Sequence, residues 1–163
     1  MKATLIFLFL FSVFACSNAP NTTFYKVVSI SDGDTFTLLD ADNKQIKIRL
    51  YGIDCPEKSQ DFGAVAKQKL SDLVFNQRVQ VTKKDIDRYG RTVALVYIVN
   101  GICVNEEMLK AGLAWHYKEY DQNPYWDVLE NSARQKGLGL WKQPNPTPPW
   151  AWRKQKRTEQ ANK

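Results

Sequence analysis

Three short charged segments hold the side chains best suited to chemistry: Asp32-Gly33-Asp34-Thr35, Arg49 through Glu57, and Asp87-Arg88-Tyr89-Gly90-Arg91. The middle one, Arg49-Leu50-Tyr51-Gly52-Ile53-Asp54-Cys55-Pro56-Glu57, is the densest. Carboxylates such as Asp54 and Glu57 can hold a hard cation or take a proton. A guanidinium such as Arg49 can grip a phosphate in a bidentate fork. Pro56 fixes one dihedral and pushes Cys55 toward extended backbone, so the two carboxylates sit on a stiffened loop. Each segment also has an ordinary reading. The Arg49–Glu57 loop could carry surface salt bridges alone. Asp32-Gly33-Asp34 is a common turn and lacks the remainder of an EF-hand loop. Asp87–Arg91 could be a solvated hairpin tip. His116 is the single histidine, which disfavours zinc and a Ser–His hydrolase.

The elements that must position these segments are mostly strands. Phe24 to Ile30 is rich in valine and aromatics, and Thr35 to Leu39 returns from the Asp-Gly turn, whose glycine is expected at positive φ. Asp40 to Asn43 is a second turn. From Gln45 to Tyr51, Ile46, Ile48 and Leu50 alternate with Lys47, Arg49 and Tyr51, so Arg49 points away from the apolar face. Gly63 to Phe75 reads as a helix with Val65, Leu70, Leu73 and Val74 inward. Arg78 to Thr82 is a fourth strand, followed by a charged loop from Lys83 to Arg91. Thr92 to Val99 is apolar on both faces, the mark of a central strand. Helices follow at Glu106 to Ala111, capped by Gly112, and at Tyr125 to Lys136, capped by Gly137. Pro144, Pro146, Pro148 and Pro149 are expected to end regular structure, leaving a basic tail over 144–163. Five strands with a helix between the third and fourth is the order of an OB-type barrel. The fold class is therefore α+β, mainly β, with three helices.

The 163 residues suit one domain. A net charge of +6 and a pI near 9.2 favour polyanionic partners. Met1-Lys2 and the apolar run from Ala3 to Phe14 read as a secretory leader over 1–19, too short for a membrane span. Val13-Phe14-Ala15-Cys16 resembles a lipobox, in which Cys16 becomes the acylated N-terminus. Cleavage near Ala19 would instead release a soluble protein. Cys55 and Cys103 then remain in an oxidising compartment, paired or free.

In this order, the charged segments resemble the thermonuclease family, the staphylococcal-nuclease-like OB-fold domains. The resemblance extends to Ile48-Arg49-Leu50, Ile53 through Glu57, Val104-Asn105-Glu106, Gly112-Leu113-Ala114 and Gly139-Leu140-Trp141, over about residues 24–143. It implies a Ca²⁺-dependent phosphodiesterase, an endonuclease acting on DNA and RNA. By position, Asp34 and Asp54 would ligate Ca²⁺, with the backbone carbonyl of Cys55 as a further ligand. The best-known member has threonine at the Cys55 position, a change that a main-chain ligand tolerates. Glu57 would be the general base, and Arg49 and Arg91 the phosphate clamp. Arg88, Tyr89, Tyr117 and Tyr120 would contact substrate, although the tyrosine spacing differs from that member's.

Two other classes compete. One is a non-catalytic nucleic-acid-binding OB module, which the full set Asp34, Arg49, Asp54, Glu57 and Arg91 argues against. The other is a structural surface lipoprotein, which leaves that set unexplained. Trp115 suits either core or substrate stacking, while Lys83, Lys84, Arg153, Lys154, Lys156 and Arg157 read as solvated surface. A monomer without a protein partner is expected, exported and either lipid-anchored or free. Membrane fractionation tests the anchor: wild type should sediment with membranes and Cys16→Ala should be released. Equal release of both would exclude lipidation.

Overall fold

Alternating apolar residues between Phe24 and Ile98 close into a barrel. The structure is a computed structural model describing residues 23–162. The leader and Cys16 lie outside the described residues. Strands β1 (Phe24–Ile30), β2 (Thr35–Leu39) and β3 (Gln45–Leu50) form an antiparallel meander. Helix α1 (Gly63–Val74) follows a two-residue strand, β4 (Ile53–Asp54). Strands β5 (Arg78–Ile86) and β6 (Thr92–Ile98) complete a closed barrel in the order β1-β2-β3-β6-β5. The β3–β6 pair is parallel, with Ile48 opposite Thr92 and Leu50 opposite Ala94. Such a pair needs a long crossover, and α1 with β5 supplies it. The five-stranded OB-type class read from the sequence is therefore the one observed.

The barrel interior holds Val27, Phe36, Leu38, Ile48, Leu50, Val79, Ala94 and Val96, all almost fully buried. Each large aliphatic or aromatic side chain here contributes about 1.5–3 kcal/mol by leaving water. Helix α1 closes onto this core through Ala66, Leu70 and Val74. Val65, expected inward, is instead 51% exposed. The small Ala66 takes the inward face because the chain approaches closely there.

Several local expectations change. Gly33 does not have a positive φ. Its lack of a Cβ matters instead for contact, because a side chain there would collide with Cys55 and Ala66. The positive φ in this region falls on Asn43, in the second turn. Strand β5 runs past Thr82 to Ile86, with Lys83 opposite Ala94, Asp85 opposite Val93 and Ile86 opposite Thr92. Backbone pairing with β6 holds this segment as strand although its side chains are charged and exposed. Only Asp87–Arg91 remains a turn.

Helices α2 (Val104–Lys110) and α3 (Pro124–Gln135) flank the barrel, joined by a short strand, β7 (Trp115–His116), that pairs with β4. Asn123 caps α3 by accepting from the Tyr125 N–H at 3.0 Å, with Pro124 at the first helical position. A 3-10 turn (Gly139–Lys142) precedes a fourth helix, α4 (Pro149–Ala161), where the sequence suggests an irregular tail. Pro149 sits at its start, where a missing N–H is no loss. Among the described residues no helix is long and apolar enough to cross a membrane.

Asn105 locks α2 to the barrel. Its Oδ1 accepts the Val96 N–H at 3.1 Å, and its Nδ2 donates to Tyr51 O at 2.9 Å and Ala94 O at 3.3 Å. The side chain is fully buried. Asn105→Ala is expected to destabilise the fold by about 3 kcal/mol, because it strands buried backbone groups. Guanidinium unfolding measures this, and a loss under about 0.5 kcal/mol, the range of a neutral surface change, would overturn it.

Candidate active site

Strand register brings the first two charged segments together. Asp34 ends the β1–β2 turn, where Asp32 Oδ1 accepts the Asp34 N–H at 3.1 Å. Its neighbour Thr35 stands opposite Arg49 across the β2–β3 pair, and Asp34 O accepts the Leu50 N–H at 2.8 Å. The β2–β3 hairpin thus brings the two segments into direct contact. Arg49 does leave the apolar face, as the alternation predicts, but not toward water: its side chain is only 14% exposed. It forms ion pairs with Asp34 and, at 2.7 Å, with Asp54 Oδ1. Burial alone would pull the Arg49 pKa down, but the Asp34 and Asp54 carboxylates outweigh it and hold it above its ordinary value.

Asp54 is carried by β4 and is 1% exposed. Burial raises its pKa against the opposing pull of Arg153 and Arg49. Cys55 donates its N–H to Asp34 Oδ2 at 2.7 Å and its thiol to Gly33 O at 3.2 Å. Burial, then the Asp34 charge, pushes that thiol well above its usual range. Asp32 is pushed up to about 6 by burial and by Asp34 beside it. The Glu57 loop folds onto the start of α1: Glu57 O accepts the Gln60 N–H at 2.8 Å, and Gln60 Oε1 accepts the Glu57 N–H at 3.1 Å. Gln60 Nε2 in turn donates to Thr147 O at 2.6 Å, tying this loop to the proline-rich segment before α4.

The third segment arrives on the β5–β6 turn. Asp87 Oδ1 accepts the Tyr89 and Arg91 N–H groups at 2.9 and 3.0 Å. Arg91 Nε donates to Asp87 Oδ2 at 2.6 Å and its Nη1 to Thr35 Oγ1 at 3.2 Å. Asp34, Arg49, Asp54, Cys55, Glu57 and Arg91 line one small cavity, together with Asp32 and Arg153. Arg88, Tyr89, Tyr117 and Tyr120 line the adjoining cavity, which Arg49 and Tyr51 share. The Tyr89 ring is flanked by the Arg88 and Arg91 guanidiniums at 5.6 and 5.5 Å.

The tyrosine segment is held by groups that periodicity does not reveal. His116 is buried, with Nδ1 2.6 Å from Asp127 and Nε2 3.0 Å from Asp121. Its N–H donates to Glu130 at 3.2 Å. Tyr117 N–H donates to Gly52 O at 2.8 Å, and the Tyr51 hydroxyl donates to Tyr120 O at 2.6 Å. Trp115 is core, packed at 4.5 Å from Trp141 and 5.7 Å from Trp150. Cys55 and Cys103 are free and buried. Lys83, Lys84, Lys154, Lys156 and Arg157 are exposed as expected. Arg153 departs from the solvated-surface reading: it pairs with Asp54 and Glu57. Nothing local separates it from its basic neighbours, although Pro148-Pro149 before Trp150 is a legible helix start.

Among the described residues, no group of three or more His, Cys, Asp or Glu side chains is set up to hold a metal. The smaller set Asp34 and Asp54 fits a hard cation in donor chemistry: oxygen only, and so buried that their charge requires a positive partner. Arg49 and Arg153 meet that requirement here. Arg49 Nη1 is engaged by Asp34 and its Nη2 by Asp54, so the guanidinium is held between the two carboxylates.

A closed OB-type barrel thus carries a buried acid–arginine cluster with an aromatic cleft beside it. A family model described as staphylococcal nuclease homologue matches residues 47–143. A protein of Haemophilus influenzae named an uncharacterized endonuclease is 48% identical over 147 residues, 90% of this chain and 81% of its own length. A Shigella flexneri protein named micrococcal nuclease is 42% identical, covering 79% of each chain. The Arabidopsis thaliana staphylococcal-like nuclease CAN1 is 42% identical over 82% of this chain and 39% of its own. The chain belongs to the staphylococcal nuclease homologue family.

Gly63 tests the packing of the Glu57 loop. A Cβ there would overlap the Glu57 carbonyl oxygen. At an open helical position Gly→Ala stabilises by roughly 0.5–1 kcal/mol. Gly63→Ala is instead expected to destabilise by about 1–3 kcal/mol, the cost of overpacking. Thermal unfolding reads the sign, and a stabilised variant would overturn the contact.

Proposed function

We propose that the protein is an exported Ca²⁺-dependent phosphodiesterase, an endonuclease hydrolysing DNA and RNA with little sequence specificity. One observation carries the reading: Arg49 bridges the buried carboxylates Asp34 and Asp54 at the floor of a cavity rimmed by Glu57 and Arg91. The names of the relatives support it. Asp34 and Asp54 would hold Ca²⁺, with the Cys55 carbonyl as a main-chain donor, a role that leaves the neutral thiol out of the chemistry. Bound Ca²⁺ would polarise the phosphoryl group and orient water.

The chain's own residues supply the rest. Glu57, partly open to solvent, takes the proton of the attacking water at its carboxylate. Arg49 and Arg91 donate to the non-bridging phosphoryl oxygens, whose charge grows as the water oxygen bonds to phosphorus and the leaving oxygen departs. Removing one such contact typically costs about 10²–10³ in rate. Tyr89 and Tyr120 are strongly exposed beside the cavity. They suit base stacking, worth about 1–3 kcal/mol per base and blind to sequence. Neither base stacking nor a phosphate clamp requires a 2′-hydroxyl, which supports the reading of DNA and RNA alike.

Residues 20–163 are expected to degrade single-stranded DNA and RNA in Ca²⁺ and to stop in a calcium chelator. Undiminished cleavage in the chelator would remove the metal from the reading. Glu57→Gln is expected to keep substrate affinity while losing most turnover. A fully active variant would remove Glu57 as the base.

A further inference from the structure

Arg153 reaches the catalytic carboxylates from helix α4, 96 residues after Glu57. Its Nη1 donates to Glu57 Oε1 at 2.6 Å and to Asp54 Oδ1 at 3.2 Å, and its Nη2 donates to Asp54 Oδ2 at 2.8 Å. One guanidinium therefore holds both oxygens of Asp54 and one of Glu57. The helix is docked at two further points. Trp150 lies flat on Tyr117, with ring centroids 5.1 Å apart and planes 7° from parallel. Gln60 holds the Thr147 carbonyl just before the helix begins. The family match covers residues 47–143, and α4 lies beyond it.

Asp54 is the proposed metal ligand and Glu57 the proposed base. A divalent cation on Asp54 and a guanidinium spread across both its oxygens are like charges contending for one anion. Asp54 can keep Arg49 as a neighbour, since that fork has a phosphate to turn to. The Arg153 side chain is different: it is 40% exposed against 1% for Asp54, and it lies over the carboxylate from the solvent side on a flexible stem. A withdrawn Arg153 would also release Glu57 to accept a proton.

We infer that Arg153 is a built-in counter-cation of the catalytic carboxylates, one that Ca²⁺ must displace, so that helix α4 sets the metal affinity of the site. This rests on the Ca²⁺ reading above. The displaced side chain has a fitting destination. The groove beside it is lined by Tyr89, Trp152, Lys156 and Arg157 as well as Glu57, and a polyanionic strand there neutralises the released charge. Metal and substrate therefore cooperate in drawing Arg153 off.

Calorimetric titration of the full chain with CaCl₂ alone, without nucleic acid, tests this directly. Arg153→Ala and Arg153→Gln are expected to bind Ca²⁺ at least tenfold more tightly than wild type. Lys154→Ala, exposed on the same helix, is expected to match wild type. Either Arg153 variant, correctly folded by circular dichroism, with an affinity equal to or weaker than wild type would overturn the counter-cation. Absence of Ca²⁺ binding in every protein would instead overturn the metal reading and this inference with it.

Discussion

Burial of like charge is the constraint around which the molecule is arranged. Asp34 from the β1–β2 turn and Asp54 from β4 come together in a place that water hardly reaches, and an uncompensated pair there would cost several kcal/mol. Arg49 makes the arrangement possible by standing between them. The β2–β3 register fixes Asp34 against Arg49, and the small β4–β7 pair fixes Asp54. The barrel thus places charge as well as burying apolar surface. Removing the arginine alone would leave two buried anions facing each other, which is more costly than never having built the cluster.

Much of this was legible in the chain, for a physical reason. Period-two alternation is strong where one face of a strand is buried, as at Ile46, Ile48 and Leu50, so strand and register follow together. Turn chemistry marked the hairpins. The site residues Arg49, Asp54 and Glu57 were visible because they share one loop, and Asp34 and Arg91 because the order of motifs matched a family. What escaped notice depends on contacts between distant segments. Gly33 looked like a turn glycine, yet it serves a close approach to Cys55 and Ala66. The end of β5 looked like loop because its side chains are charged, whereas backbone pairing alone decides it. Val65 and Ala66 exchanged places because hydrophobicity says which residue prefers the interior, not how much room is there.

The second layer around the site was equally invisible. Asn105 reads as a helix start, but its amide serves three backbone groups of the barrel. His116 enters the sequence reading only as the single histidine, but two aspartates and a glutamate converge on its residue and hold the short strand that leads into the tyrosines. Arg153 stands in a run of basic residues of which only it turns inward. Such roles are set by which side chains meet after folding, and one-dimensional patterns carry no trace of them.

The free cysteines have a consequence of another kind. Cys55 sits beneath Gly33 with its thiol donating to a carbonyl, and burial among carboxylates suppresses the thiolate. Thiol–disulfide exchange proceeds through the thiolate and needs access to it. In the folded protein burial and the suppressed thiolate both slow attack by or on Cys55, which shields the loop from Ile53 to Glu57. The vulnerable interval is before the barrel closes, when both cysteines are solvated and reactive. Packing of α1 through Ala66 against Gly33 and Cys55 is what ends that interval. Chemical protection of the site is thus a kinetic property of folding, achieved without a disulfide.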